Sequence, residues 1–408
     1  MSISHTPFWL DRASRSRRQS FGTLRGDAQA TVAIVGGGLT GCACALAFAQ
    51  AGIKVVLLEA AAIGHGAAAR SAGLVREDFE ASFQDTVGAH GLAAARSMWQ
   101  AFRRSSLEFS AALRRLHVRC DLDVEDFLNV SARGPASGSV LHREYQSRRA
   151  AGLRHTWITP AALKRETAID GGGAIRTRGA TLDPYRACVG LAGAAVQRGA
   201  AVYEHARVKR IRAGKTHVEI VTDGALVRSD AVLIATPEPL ADLRSLRRHL
   251  TPAVRYSVVT SSLPAAVRRT VGLRAAVVRQ DGLSPHILRW LGDDRALWAG
   301  ADGPELPARA REKVLLQRAG QLMYELSLVY PAISGLVAAE RSWGATHYDT
   351  ADHLPFAGVH RNFPRHLFAI GGSRHGAGFG WLAARVLLRA FQGRPLKGDE
   401  LFGFARVL

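Results

Sequence analysis

The chain has 408 residues, 47% hydrophobic and 22% charged, which is enough to bury a large core and to form two domains. No apolar run reaches the roughly 18 residues of a membrane-spanning helix. The formal charge is +20, yet the basic residues are nearly all arginines scattered in ones and twos. No aromatic-interleaved basic motif stands out, so the charge alone keeps polyanions, nucleic acid among them, as alternative partners.

Residues 1–30 are polar and irregular apart from Pro7-Phe8-Trp9-Leu10, which can tuck against the body. Ser16-Arg17-Arg18-Gln19-Ser20-Phe21 faintly resembles a twin-arginine export signal. No apolar stretch follows it, so it reads as a solvated arm; the four cysteines, without redox or metal spacing, suit a reducing compartment and a cytoplasmic enzyme. The organising stretch comes next. An apolar strand, Val32 to Val35, breaks at Gly36-x-Gly38-x-x-Gly41, and a small-residue helix follows from Leu39 to Ala51. Gly52 closes the helix, and a second strand, Ile53 to Leu58, ends in Glu59. Glycines at this spacing permit a tight turn and let backbone N–H groups approach a pyrophosphate on the helix N-terminus. That assigns Gly36, Gly38, Leu39, Thr40 and Gly41 to the pyrophosphate. Glu59, with Ala60, falls at a ribose 2′-OH, where its charge repels a 2′-phosphate. Residues 60–74 are small and glycine-rich, and they let backbone lie along an extended ligand through Gly66, Ala67, Arg70, Ser71, Ala72 and Gly73. A NAD site has no need of such a segment, whereas FAD, with its second aromatic system, does.

A long helix is predicted over 85–116, with Leu92, Trp99, Phe102, Phe109, Leu113 and Leu116 on one stripe, and an alternating strand over 121–130. Ser137 and Thr159-Pro160 start two further helices. The turn Gly179–Pro184 feeds a helix over 184–198, and strands follow at 201–204, 208–212, 217–222 and 227–236, the last cut by Pro237 and Pro239. Val208 and Ala235-Thr236 are also counted among the cofactor-binding candidates. Residues 254–262, 274–280, 286–291 and 296–300 read as antiparallel sheet, and 307–328 as helix. Near the C-terminus the strand Leu367–Ile370, the loop Gly371-Gly372-Ser373-Arg374-His375-Gly376-Ala377-Gly378 and a helix to Phe391 repeat the strand, glycine loop, helix pattern. Two glycine-lined helix starts suit a long cofactor with pyrophosphate near one and flavin near the other. Cys42, Cys44, Cys120 and Cys188 show no metal-ligand or redox spacing and read as small buried residues.

These motifs, in this order over most of the chain, resemble the FAD-dependent oxidoreductases of the D-amino-acid oxidase superfamily, on the glycine/sarcosine oxidase and gamma-glutamylputrescine oxidase side. The resemblance adds Tyr348-Asp-Thr350-Ala-Asp352-His-Leu-Pro355 and Ala235-Thr236 to the motifs above. It implies an α/β fold: a Rossmann-like FAD-binding domain from 1–84, 160–240 and 345–395, and an α+β substrate domain from 85–159, 241–344 and 396–408 with an antiparallel sheet over the flavin. It also implies non-covalent FAD, because Ala345 and Arg70 stand where some relatives carry a flavin-linked cysteine or histidine. Arg374 replaces a glycine of the family loop. No lysine occurs between Lys215 and Lys313, where relatives place one to help oxygen react, so the acceptor is O2 or another oxidant.

The chemistry implied is oxidation of a small amine or amino acid to an imine by hydride transfer to flavin N5. Gly372, Arg374, Gly376, Ala377 and Gly378 are assigned to the flavin. Arg374, His375 and Arg289 are the catalytic candidates, Arg289 as a substrate ligand with His286 and Trp290 nearby. Alternation places Arg289 on the face opposite those two. Trp343 and Tyr348 are candidate pocket walls. Two alternatives remain: an FAD enzyme acting on an aminomethyl group or modified base in RNA, and a non-catalytic FAD-binding protein in which Arg374 blocks the substrate side.

Overall fold

A computed structural model of the chain describes residues 3–12, 20–132, 134–238, 240–272, 276–280 and 285–407. The arginine pair of Ser16–Gln19, Pro239 and the first residues of the strand expected at 274–280 lie outside them.

Two sheets carry the molecule. The first has eight strands, in the order Phe356–His360, Phe363–Ile370, Leu226–Ile234, Ala28–Val35, Val55–Leu58 and Ala201–Tyr203, with Val208–Ala213 and Val218–Thr222 added as a meander. Its central strands run parallel, and their apolar halves are buried on both faces, as a parallel sheet covered by helices requires. Val35 lies opposite both Leu58 and Ile234, and Leu226–Ile234 in turn pairs with Phe363–Ile370. The carboxyl ends of four strands therefore open on one edge, the edge where ligands of such sheets bind. The helix Leu39–Gln50 is buried continuously from Gly41 to Ala49 and packs between the helices Pro184–Val196 and Ala377–Phe391. A helix that is apolar all round must be enclosed in this way. Burying Phe48 within it contributes about 1.5–3 kcal/mol.

The second sheet covers that edge. Its order is Ala339–Asp349, Thr251–Thr260, Arg295–Gly303, His286–Leu291, Ala276–Gln280, Asp123–Val130, Ala174–Thr181 and Leu74–Arg76, with Thr156–Ile158 paired to Ala174–Thr181. It is antiparallel except where Ala276–Gln280 runs parallel to Asp123–Val130. Side chains alternate across it. Tyr256, Val258, Leu288, Trp290 and Trp298 pack under the helix Ala308–Val329, while Ser257, Ile287 and Ala299 face the other way.

Three expectations are corrected. The helix foreseen over 85–116 is two, Phe83–His90 and Leu92–Arg115, because Gly91 adopts φ 79° between them. The strand Asp123–Val130 is not alternating: its first residues are exposed or half-buried and its last four are buried, both of its neighbours covering that half. The C-terminal turns Asp399–Phe402 and Phe404–Val407 belong with the nucleotide-type sheet rather than the covering one. Phe404 stacks on Phe356 at 4.5 Å, and Arg406 pairs with Asp352.

Candidate active site

One elongated cavity of about 600 Å³ runs from the strand ends of the first sheet to the underside of the second. Val35, Leu58, Ala235 and Ile370 open onto it, as the register demands. The first glycine turn shapes its floor. Gly36 has φ 107°, and a Cβ there would sit 2.8 Å from Ala235 O. A Cβ on Gly38 or Gly66 would meet nothing within 4 Å, so the chain leaves room beside both. Of the residues expected at a dinucleotide, Gly36, Gly38, Leu39, Thr40, Glu59, Ala60, Gly66, Ala67, Arg70, Ser71, Ala72, Gly73, Val208, Ala235, Thr236, Gly372, Arg374, Gly376 and Ala377 line the cavity. Gly41 and Gly378 do not. A Cβ on Gly41 would strike Gly36 O at 1.8 Å, and one on Gly378 would strike Ser106 Oγ at 2.1 Å, so Gly41 lets its helix close on the turn and Gly378 lets two helices approach. Glu59 is already an acceptor, for Gly37 N–H at 2.7 Å and Ala61 N–H at 2.8 Å. Its two oxygens retain lone pairs for a further donor.

The segment Arg70–Gly73 is held from outside by side chains from three distant places. Trp343 Nε1 donates to Arg70 O at 2.9 Å, and Trp9 Nε1 donates to Ser71 O at 2.8 Å. Arg289 Nη1 donates to Ala72 O at 2.7 Å, Gly73 O at 3.3 Å and Leu182 O at 2.8 Å. Four consecutive carbonyls thus point away from the cavity. Arg289 is 6% exposed and does not line the cavity; burial lowers its pKa to about 10, and its guanidinium lies 4.8 Å over the Trp9 ring. The expectation that Arg289 meets substrate is therefore corrected. Alternation puts it on the predicted face, but its length carries the charge to the strap. Neither His286 nor Trp290 lines the cavity: His286 pairs with Glu325 at 2.7 Å, and Trp290 packs against Tyr330. Trp343 anchors the strap instead of walling the pocket, and Tyr348 lies in the core of the first sheet.

His375 is also corrected as a catalytic candidate. It is 3% exposed, turned between Phe79 at 5.6 Å and Phe102 at 6.4 Å, and burial pushes its pKa down to about 3. A neutral imidazole among aromatic rings is core. Arg374 does line the cavity, but its guanidinium is drawn into carboxylates: Nε lies 2.9 Å from Asp349, Nη1 lies 3.4 Å from Glu80, and Nη2 binds Asp302. Glu80 is shared with Arg76 at 2.6 Å and Arg255 at 3.7 Å. Against the upward push of burial, Arg279, Arg76, Arg255 and Arg374 hold its carboxyl well below the usual range. Asp302 in turn takes Arg255 in a two-point pair at 2.9 and 3.0 Å.

Sequence reasoning missed Arg76, Arg255, Ser257 and His347, all on the covering sheet and all lining the cavity. A signal for His347 existed: it stands two residues beyond Ala345 on one strand, hence on the same face. No lysine lines the cavity among the described residues.

The family model described as FAD dependent oxidoreductase, DAO, matches residues 31–390. The chain belongs to this family. Its cofactor is accordingly FAD, and the cavity fits it: an open glycine floor at one helix start, a strap with carbonyls turned out, and a second helix start at Ala377. The chain is 25% identical to the probable oxidoreductase OrdL of Haemophilus influenzae, over 93% of this chain and 87% of that one. It is 24% identical to gamma-glutamylputrescine oxidoreductase of Escherichia coli, over 95% and 89%. In fold it is similar to glycine oxidase of Geobacillus kaustophilus, with TM-score 0.75, 20% identity and coverage of 93% and 100%. It is likewise similar to L-proline dehydrogenase of P. horikoshii, with TM-score 0.73, 18% identity and coverage of 92% and 97%. No helix among the described residues is long and apolar enough to cross a membrane.

Proposed function

We propose that this protein oxidises a small amine or amino acid at the carbon next to its nitrogen. The observation that carries the reading is one continuous cavity that starts at the glycine floor and ends under the covering sheet at Arg255, Ser257 and His347. Bound FAD supplies the two-electron acceptor, and the chain supplies placement and exclusion of water. Gly36, Gly38, Leu39 and Thr40 would present the helix start to the pyrophosphate, Glu59 would accept from the ribose, and the Arg70–Gly73 strap with Gly372, Gly376 and Ala377 would hold the flavin end. Ala345 gives no nucleophile for a covalent link, so FAD is held non-covalently.

Arg255 is the substrate ligand in this reading. Its Nε and Nη2 are fixed by Asp302, which leaves Nη1 uncommitted for a carboxylate on the substrate. Arg374 is tied to the wall by three carboxylates, which removes the ground for a non-catalytic protein blocked at that position. The test is anaerobic mixing of the holoprotein with a panel of amines and amino acids. Bleaching of the flavin absorbance by at least one of them is expected, and none bleaching it would refute the reading. Repeating the turnover with O2 and with an artificial dye identifies the acceptor class.

A further inference from the structure

An amine is mostly an ammonium ion at neutral pH, with a pKa of about 10 for an alkylamine. That proton must leave before the nitrogen lone pair can assist oxidation of the neighbouring carbon. Two carboxylates line the cavity, Glu59 and Glu238, and both stand just past strand ends of the first sheet. The other charged liners are arginines, which do not release or take up a proton in this range. His347 is the remaining titratable liner, at the end under the covering sheet.

Its setting is unusual for a buried polar group. His347 is 5% exposed, and its Nε2 is buried with no hydrogen-bond partner, 3.6 Å from Asp349 Oδ2. Most buried polar atoms are satisfied, so an orphan beside a cavity asks for a reason. Asp349 lies two residues on, on the same strand face; burial pushes its carboxyl up, but His347 and Arg374 keep it below the usual range. Opposite His347 across the ladder is Ala253, which leaves the ring space.

We propose that His347, with the Asp349 carboxylate beside it, is a catalytic residue that takes the ammonium proton of the substrate. This rests on the amine-oxidising reading above. Nε2 lies beyond hydrogen-bond reach of Asp349, so the carboxylate acts on the ring as a nearby charge; with the proton on Nε2, the Nδ1 lone pair is free to accept. The N–H bond of the ammonium breaks, the proton passes to Nδ1, and the imidazolium so formed faces the Asp349 carboxylate. The carbon then gives up its hydrogen and two electrons to FAD. Arg255 from the neighbouring strand and Arg374 from the glycine loop oppose the imidazolium. Asp349 favours it, as do Glu80 and Asp302, the acids those arginines bind.

The test has two parts. Without substrate, a pH titration of the holoprotein's flavin absorbance should show one ionisation that is lost in His347→Gln and shifted in Asp349→Asn. Its absence in the wild type, or its persistence in His347→Gln, overturns the proposal whatever the substrate. With an amine that bleaches the flavin, His347→Gln should slow anaerobic bleaching on the order of 10²-fold at pH 7. It should come within about threefold of wild type once the pH exceeds the amine's own pKa, where no proton remains to be taken. Equal slowing at every pH marks a packing role and overturns the proposal, as does no slowing. If the substrate-free ionisation is present but no amine bleaches wild type, the amine reading itself has failed and the proton-acceptor role with it. If His347→Gln does not retain FAD, an unshifted ionisation in Asp349→Asn is the overturning result.

Discussion

Replacing Arg374 with Ala tests whether its charge is committed to the wall. The guanidinium serves Glu80, Asp302 and Asp349, but the three are not equally dependent on it. Asp302 keeps the two-point pair with Arg255, and Glu80 keeps Arg76 at 2.6 Å. Asp349 has no other arginine within ion-pair reach among the described residues, only His347 at 3.6 Å. Removing one member of a buried ion pair costs about 3–5 kcal/mol. Asp349 is 24% exposed, and water can take up part of its charge. The expected loss is therefore about 2–3 kcal/mol. Asp349→Asn alone should cost under about 1 kcal/mol, because Arg374 retains two carboxylates. In the double variant the stranded charge is gone, so it should be about 1–2 kcal/mol more stable than Arg374→Ala, a coupling in the usual range for touching groups. Urea unfolding of the four FAD-saturated proteins, followed by tryptophan fluorescence, reads these differences. Additive losses in the double variant would show that the two side chains do not interact, and the account of the wall would be wrong.

Glu59→Ala should weaken FAD by about 1–3 kcal/mol, read by titrating apoprotein, because ribose and the Gly37 N–H both lose their acceptor. Arg289→Met should weaken FAD by about 2–3 kcal/mol, and Trp9→Phe by about 1 kcal/mol, through loosening of the strap alone; unchanged titrations would detach the strap from the cofactor. Heat denaturation should release intact FAD into the supernatant, and yellow colour retained on the precipitate would show a covalent link. Histidine in an unfolded chain titrates near 6.5, whereas burial holds folded His375 down at about 3, so the unfolded chain takes up a proton that the folded one refuses. Stability therefore falls as pH drops from about 6.5 toward 3, and His375→Phe should reduce the loss between about pH 6.5 and 4.5 by about 2–3 kcal/mol.

What the sequence made legible was local. The turn Gly36–Gly41, the strand before it and Glu59 after the next strand lie within one βαβ unit, so their chemistry can be read from spacing alone. The Arg70–Gly73 strap was equally readable as backbone that lines a ligand. The reaction end was not. Arg255 and His347 line one end of the cavity only because Thr251–Thr260 pairs with Ala339–Asp349 in one register, which sets Arg255 opposite Ala345 and His347 opposite Ala253. Nothing within either strand announces that pairing. His375 shows the converse: it sits in a glycine loop that does line the cavity, but the turn aims its ring into Phe79 and Phe102.

With arginines throughout this chain, residue type says little about which one meets a ligand, and donor accounting says more. Each guanidinium has five N–H groups on three nitrogens, and an arginine whose nitrogens all face protein acceptors is held in place with fewer of them left for a substrate. Arg76 is filled by Asp78, Glu80 and Phe79 O. Arg374 has Asp349, Glu80 and Asp302 within ion-pair reach and donates to the last two, while its Nε makes no hydrogen bond. Arg289 spends one nitrogen on three strap carbonyls and does not reach the cavity. Arg255 lines the cavity and holds Asp302 through Nε and Nη2 only. Its partner fixes the plane of the guanidinium without consuming the whole fork, which is how an arginine is made ready for a carboxylate. The neighbouring carboxylates cancel the charge of the arginines beside it. The attraction at this end of the cavity is then a local, directional one at Arg255, next to a histidine able to take the amine's proton, and not the diffuse pull of a +20 chain.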